Sequence, residues 1–248
     1  MKESTANSNR TPGMSQATRS LEQIQAISFD LDDTLWHCAP AIENAERALY
    51  EWHKRVTPRL AQAHTPETLL AYRNLFRSQH PQLQNCVTEM RLAGLRALLQ
   101  QFDYPQSLAE EGFAVFYRAR SEVQLYTGAL ELLNTLGKRY RLAAITNGNA
   151  DLEYIGIADH FEQIYSANLN MRPKPDAHMF DHCLAALDLP AEKLLHIGDN
   201  PVTDISGGHN AGVQTLWFNQ FGELWPEHLV RPHYEVQALA GIIALFDG

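Results

Sequence analysis

The sequence is poor in cysteine and lacks a long apolar segment. Its 248 residues include three cysteines, Cys38, Cys86 and Cys183, which lie far apart and form no CxxC pair. We therefore expect neither a disulfide framework nor a thiolate zinc site. No stretch is long and apolar enough to span a bilayer, and the polar first twenty residues do not resemble a signal peptide. These features predict a cytoplasmic protein.

The sequence also lacks any run of lysine and arginine, and its formal net charge is -9. Binding to nucleic acid or to an anionic membrane needs clustered positive charge, so we expect neither partner. A small phosphorylated metabolite is compatible with this charge. The hydrophobic content of 45% is enough for a sizeable core. We expect a monomer or a weak homodimer.

Five short runs of apolar, β-branched and aromatic residues predict buried strands. They lie at residues 26–29, 142–145, 163–166, 194–197 and 214–218. A sixth strand is predicted at 234–236, and amphipathic helices are predicted at 129–139, 176–187 and 202–211. Alternating strands and helices are typical of a parallel sheet covered on both faces. The predicted fold is α/β, a Rossmann-like doubly wound parallel sheet.

The interval between the first two predicted strands is far longer than a single crossover needs. We interpret residues 36–126 as an inserted helical cap, 23–35 and 127–248 as the core, and 1–22 as a disordered tail. The cap contains no convincing strand. Its predicted helices lie at 41–56, 66–78, 89–101 and 107–121.

Reactive side chains follow the predicted strands, where ligands of open parallel sheets bind. Asp30 and Asp32 end the first strand, and residues two apart in an extended segment project to the same side. With Asp199 after the fourth strand, they predict an oxygen-lined Mg²⁺ site, because two convergent carboxylates repel each other without a cation. Asp204, farther along the same loop, is placed to orient a metal-bound water or to steady Lys174.

This order of residues resembles the haloacid dehalogenase superfamily, whose four motifs match as DLDDT, Thr146, Lys174 and GDNPVTD. The resemblance implies a magnesium-dependent phosphatase in which Asp30 is the nucleophile and Asp32 the general acid and then base. It further implies phosphate contacts from Thr146, Asn147 and Lys174, and supporting positions around the metal for Asp204 and Asn200. It assigns the metal to Asp30, Asp32 and Asp199.

Three other functions share parts of this pattern. A phosphomutase would use the same nucleophile and acid but return the phosphoryl group to a sugar. A dehalogenase is disfavoured by Asp32, because a halide leaving group needs no proton and related dehalogenases lack this residue. A catalytically silent binding module is disfavoured by the intact set of reactive side chains.

The substrate is suggested by three further stretches, which are ITNGNADLEYIGIADHFEQIYSAN, RPKPDAHMF and FNQFGELWPEHLVRPHYEV. They are similar to a branch of the superfamily whose phosphatases act on flavin mononucleotide and on 5-amino-6-(5-phospho-D-ribitylamino)uracil in riboflavin synthesis. The resemblance implies one of these substrates. Sugar phosphates and nucleotides are the alternatives, because the motif residues contact only the phosphoryl group.

Overall fold

The computed structural model describes residues 21–83 and 86–247. Within these residues, six parallel strands form one sheet in the order β3-β2-β1-β4-β5-β6. The strands are β1 (Ala26–Phe29), β2 (Arg141–Thr146), β3 (Gln163–Ser166), β4 (Leu194–Gly198), β5 (Gln214–Phe218) and β6 (Tyr234–Val236). All six predicted strands are confirmed.

Both faces of the sheet are covered, because successive side chains of each strand point to opposite sides. Ile27 and Phe29 of β1 pack into a hydrophobic cluster with α6 (Ala129–Gly137) and α10 (Leu239–Asp247). Ala26 packs on the other face, in a cluster with α8 (His178–Leu187), which follows the short α7 (Leu152–Ile155) in the chain. The predicted α/β fold with a doubly wound parallel sheet is confirmed.

Helices occupy the chain between β1 and β2. Its described part contains α1 (Cys38–Val56), α2 (Pro58–Ala63), α3 (Pro66–Gln79), α4 (Val87–Gln101) and α5 (Leu108–Arg120). Four helices were predicted for residues 36–126, and α2 is additional. Pro58 stands at its first position, where a missing N–H costs no helical hydrogen bond. Leu60 of α2 is fully buried and belongs to the same hydrophobic cluster as Trp52 of α1.

The predicted helix at 202–211 takes a different form. Pro201–Ser206 is a π-helical turn, and only α9 (Gly207–Asn210) is α-helical. Asn200 caps this segment, since its Oδ1 accepts hydrogen bonds from two backbone N–H groups of the first turn, at 2.9 and 3.0 Å. The wider turn places Asp204 inside the protein, where it is 1% exposed.

The start of the described chain differs by two residues from the predicted boundary. Leu21 and Glu22 were assigned to the tail, but Leu21–Gln23 is a 3₁₀ helix, and Leu21 packs against the core. Residues 1–20 of the predicted tail lie outside the described residues. In the part that the structure describes, no helix combines the length and apolarity needed to cross a membrane.

Candidate active site

Asp30 lies at the carboxyl end of the central strand β1, between β2 and β4. Its N–H donates to the carbonyl oxygen of Ile197 at 2.8 Å, which continues the β1–β4 ladder by one residue. Thr146 ends β2 on one side, and Asp199 directly follows β4 on the other. This is the point where the strand order reverses, so the helices diverge and leave a crevice.

Lys174 joins the acidic side chains of this crevice. Its Nζ donates to Asp30 Oδ1 at 2.7 Å, to Asp204 Oδ1 at 2.5 Å and to the carbonyl oxygen of Ile145 at 2.6 Å. The Asn147 side chain fixes the lysine backbone, accepting from Lys174 N at 2.8 Å and donating to its carbonyl at 2.9 Å. The Asn147 side chain thus holds the loop that carries Lys174, and its assignment to phosphate stays a prediction.

Asp204 is held from several directions. Beyond Lys174, its Oδ2 accepts from the N–H of Asn200 at 2.9 Å, and its Oδ1 lies 3.2 Å from His196 Nε2. His196 in turn contacts Ser28 Oγ at 2.9 Å. Burial lowers the pKa of His196 to about 4 despite the neighbouring carboxylate, so the imidazole is neutral near pH 7. The predicted contact between Asp204 and Lys174 is present.

Among the residues that the structure describes, one group of acidic side chains is arranged as a metal site. It consists of Asp30, Asp199 and Asp204, each offering an oxygen within 4.8 Å of the others. Three carboxylates against the single charge of Lys174 leave an excess of two negative charges when all are ionised. Carboxylate oxygens are hard ligands, so this cluster fits a divalent cation such as Mg²⁺.

The ionisation of these groups reflects burial and mutual repulsion. Burial raises the pKa of Asp30 well above its usual value, Lys174 partly offsets this, and Asp204 and Asp199 raise it further. Burial, followed by repulsion from Asp204 and Asp33, raises the pKa of Asp199 to about 7. Burial would also raise the pKa of Asp204, but Lys174 and His196 outweigh it and hold this pKa low. Ionisation of the whole cluster is therefore unfavourable in free energy, and a bound cation would reduce this penalty.

The carboxylate of Asp32 lies outside this cluster of side-chain oxygens, and its place among the metal ligands stays a prediction. Arg120 Nη2 donates to both of its carboxylate oxygens, at 2.7 and 2.5 Å, and Trp36 Nε1 donates to Oδ1 at 2.9 Å. The arginine and the indole orient the Asp32 side chain, whose Oδ2 also lies beside Gly148 after the end of β2. The third side-chain carboxylate of the cluster is that of Asp204.

Residues 24–212 match the family of haloacid dehalogenase-like hydrolases. The chain belongs to this family. It is 31% identical over 92% of its length, and 98% of the relative's, to 5-amino-6-(5-phospho-D-ribitylamino)uracil phosphatase YigB of Escherichia coli. It is 26% identical over 92% of its length, and 95% of the relative's, to N-acylneuraminate-9-phosphatase of Mus musculus. These comparisons confirm the predicted enzyme class, a phosphatase of this hydrolase family.

A solved structure of a 2-haloacid dehalogenase from Pseudomonas syringae pv. Tomato DC3000 is also similar. It is 34% identical to this hydrolase, with a TM-score of 0.82, and the match covers 90% of this chain and 98% of that one. The architecture is therefore shared across most of both chains, including the helical segment between β1 and β2. Which leaving group the site accepts depends on individual side chains.

Arg120 of this hydrolase was not identified from the sequence. It ends α5 and is 1% exposed, although arginine is rarely so buried. The signal lay in the helical spacing, because Arg120 stands four residues after buried Phe116 and so falls on the apolar stripe of α5. A charge on the buried face of a helix indicates a partner elsewhere in the fold, which here is Asp32.

Gly198 provides a test of how the site is packed. A Cβ at this position would lie 2.5 Å from the Cβ of Asp204, inside contact distance. We expect Gly198→Ala to displace Asp204 from Lys174 and to lower turnover by about 10²-fold, since a displacement near 1 Å can have that effect. Overpacking should also destabilise the fold by about 1–3 kcal/mol. Steady-state kinetics and thermal unfolding measure both effects.

Gly137→Ala is the matched control for this substitution. Its added Cβ would meet Leu142 Cδ1 at 3.6 Å, an ordinary contact at the end of α6. Wild-type turnover in Gly137→Ala and a large loss in Gly198→Ala are expected. Equal turnover in the two variants would show that close packing at Gly198 does not position Asp204.

Proposed function

We propose that this hydrolase is a magnesium-dependent phosphatase of the cytoplasm, in which the phosphoryl group passes from a small metabolite to Asp30 and then to water. The observation that carries the proposal is the buried contact of Asp30 with Lys174, beside Asp199 and Asp204, at the end of the central strand. An acidic nucleophile next to an excess of negative charge needs a cation before an anionic phosphoryl group can approach.

In the first half-reaction, Asp30 attacks phosphorus and the bond to the leaving oxygen breaks. Lys174 offsets charge on the transferring oxygens, and Asp32 donates a proton to the leaving oxygen. Asp30, Asp199 and Asp204 would hold Mg²⁺ through side-chain oxygens, and Asp32 stays the further predicted ligand. When bound, the ion supplies positive charge that draws the phosphoryl oxygens to Asp30 and stabilises their developing charge.

In the second half-reaction, water attacks the phosphorus of phosphorylated Asp30. Asp32, now ionised, accepts a proton from that water, and the bond between phosphorus and the Asp30 oxygen breaks. The products are inorganic phosphate and the Asp30 carboxylate. The same side chain thus serves as acid and then as base, which a halide leaving group would not require in the first step.

The favoured substrates are flavin mononucleotide and 5-amino-6-(5-phospho-D-ribitylamino)uracil. The relative YigB, by its name, acts on the latter compound, and the identity to it is 31%. A cavity of about 860 Å³ lies between α1, α3 and α4. It extends from Asp33 and Cys38 beside the catalytic loop to Tyr72 and Phe76 in the cap. That volume accommodates a ring system of this size.

The direct test is a phosphate-release screen with flavin mononucleotide, the ribitylamino-uracil phosphate, sugar phosphates and nucleotides. We expect one of the first two compounds to give the highest kcat/KM. A clear preference for a sugar phosphate or a nucleotide would support the alternative substrates. Release of phosphate from none of them would refute the phosphatase proposal. Recovery of an isomerised sugar phosphate without free phosphate would identify a phosphomutase.

A 2-haloacid dehalogenase is the second candidate, because a structure 34% identical to this chain carries that name. Asp32 argues against it, since an acid that protonates the leaving oxygen has no function when chloride leaves. We expect no chloride release from 2-chloropropionate above the rate in buffer. Steady release that stops in Asp30→Asn would favour the dehalogenase.

The proposed cation can be tested by removing it. After exhaustive chelation we expect phosphate release to fall below about 1% of its original rate, because the excess negative charge then opposes the substrate. Added Mg²⁺ should restore activity, whereas added Na⁺ at equal ionic strength should not. Full activity in the chelated protein would refute the metal assignment. The expectation of a monomer or weak homodimer stays a prediction.

A further inference from the structure

Arg120 connects the cap to the catalytic loop. It ends α5 in the segment between β1 and β2, yet its Nη2 reaches both carboxylate oxygens of Asp32. A Cβ at Gly148, beyond the end of β2, would lie 3.2 Å from Arg120 Nη2 and 3.3 Å from Thr146 Oγ1. The guanidinium group therefore lies inside the crevice formed by the strand ends.

This arginine has hydrogen-bonding capacity that its known contacts do not use. Its Nε and Nη1 are buried and have no hydrogen-bond partner among the described residues. A buried donor without a partner costs free energy, and a buried arginine with a purely structural role is normally satisfied on all sides. Unpartnered donors on the side chain that holds Asp32 instead indicate a site that a further acceptor completes.

Asp32 is held only as an acceptor in this arrangement. Arg120 and Trp36 both donate to it, at 2.5 to 2.9 Å. Accepting a hydrogen bond from water, and then its proton, is what the second half-reaction requires of this side chain. A base contributes only when it is oriented toward the proton that it removes, so the groups that orient Asp32 control its contribution.

We propose that Arg120 is a positioning residue for Asp32 in the hydrolysis of phosphorylated Asp30. Water attacks phosphorus, its proton passes to Asp32, and the bond from phosphorus to the Asp30 oxygen breaks, which releases inorganic phosphate and the Asp30 carboxylate. Arg120 fixes Asp32 for this proton transfer. This inference rests on the proposed phosphatase function and assigns the cap a part in the chemistry.

The test uses the full chain with Mg²⁺ and p-nitrophenyl phosphate, whose leaving group departs without a proton. In Arg120→Gln, phosphorylation of Asp30 should stay fast while hydrolysis slows. We therefore expect a burst of about one p-nitrophenolate per active site, followed by a steady rate lower by about 10²-fold. Arg120→Lys retains one donor for Asp32 and should recover part of the steady rate. Asp32→Asn should reproduce the burst.

Arg118→Gln is the matched control, because Arg118 lies on the same helix but on its exposed side, against the ring of Tyr154. It should keep the wild-type steady rate without a burst. A slow rate without a burst in both Arg120 variants, or a change in KM alone, would overturn the inference. If Arg120→Gln does not fold, Arg120→Lys decides, because an intermediate steady rate with a smaller burst is expected only from positioning. Absence of p-nitrophenolate release by the wild type would instead refute the phosphatase function.

Discussion

Replacing Asp30 with asparagine should abolish phosphate release, with a loss of about 10⁴-fold or more in kcat. The amide is nearly isosteric with the carboxylate, but its oxygen is a poor nucleophile toward phosphorus. Its oxygen can still accept the hydrogen bond from Lys174, which also retains its contact with Asp204. We therefore expect the free energy of unfolding to change by no more than about 1 kcal/mol. Phosphate release and thermal unfolding measure the two quantities.

The control for this substitution is Asp181→Asn, which makes the same chemical change on the exposed side of α8. It should retain wild-type kcat. Substantial turnover in Asp30→Asn would remove Asp30 from the role of nucleophile. Unfolding of that variant would show that Asp30 has a structural role in addition to its proposed chemical one.

Replacing Lys174 with methionine should affect both activity and stability. The variant leaves Asp30 and Asp204 buried without their shared cation, and breaking a buried ion pair from one side typically costs about 3–5 kcal/mol. Turnover should fall by about 10²–10³-fold, the usual effect of removing one donor that stabilises developing charge. Denaturant unfolding in chelator measures the stability lost with the lysine. The same measurement with Mg²⁺ shows how much of that stability the cation restores, and we expect partial restoration.

Lys138→Met provides the comparison, since Lys138 is exposed and follows α6 far from the acidic cluster. Its kcat and its free energy of unfolding should stay close to the wild-type values. A Lys174→Met variant as stable as the wild type in chelator would contradict the charge balance described for the cluster. A stability loss that Mg²⁺ deepens would contradict the cation site.

The reactive residues at the strand ends could be predicted from the sequence. The runs that form the strands and the side chains that follow them are both local features of the sequence. Short β-branched runs specify buried strands, and parallel strands bring their carboxyl ends to one edge regardless of what lies between them. Asp30, Thr146 and Asp199 therefore lie together although they are distant in the chain. Lys174 follows β3 and Asp204 follows β4, so both side chains lie at this same edge of the sheet, where they can make contact.

The placement of Asp32 could not be predicted in this way. Its partner Arg120 is 88 residues away and comes from a helix whose docking depends on the packing of the whole cap. The alternation of side chains along an extended segment predicts the side to which Asp32 points. It does not predict that Arg120 and Trp36 donate hydrogen bonds to its carboxylate. The extra helix α2 and the π-helical turn at Pro201–Ser206 likewise depend on tertiary contacts of buried residues, which outweigh local propensity.

The most direct measurement of the central claim is to trap the phosphorylated enzyme. With p-nitrophenyl phosphate, whose leaving group departs without a proton, Asp32→Asn should form the intermediate but hydrolyse it slowly. Acid quenching during turnover, followed by peptide mass spectrometry, can then locate the phosphoryl group. We predict one phosphoryl group per chain, on the peptide that contains Asp30 and at that residue. A phosphoryl group on another residue, or phosphate release by this variant at the wild-type rate with no labelled peptide, would contradict the account.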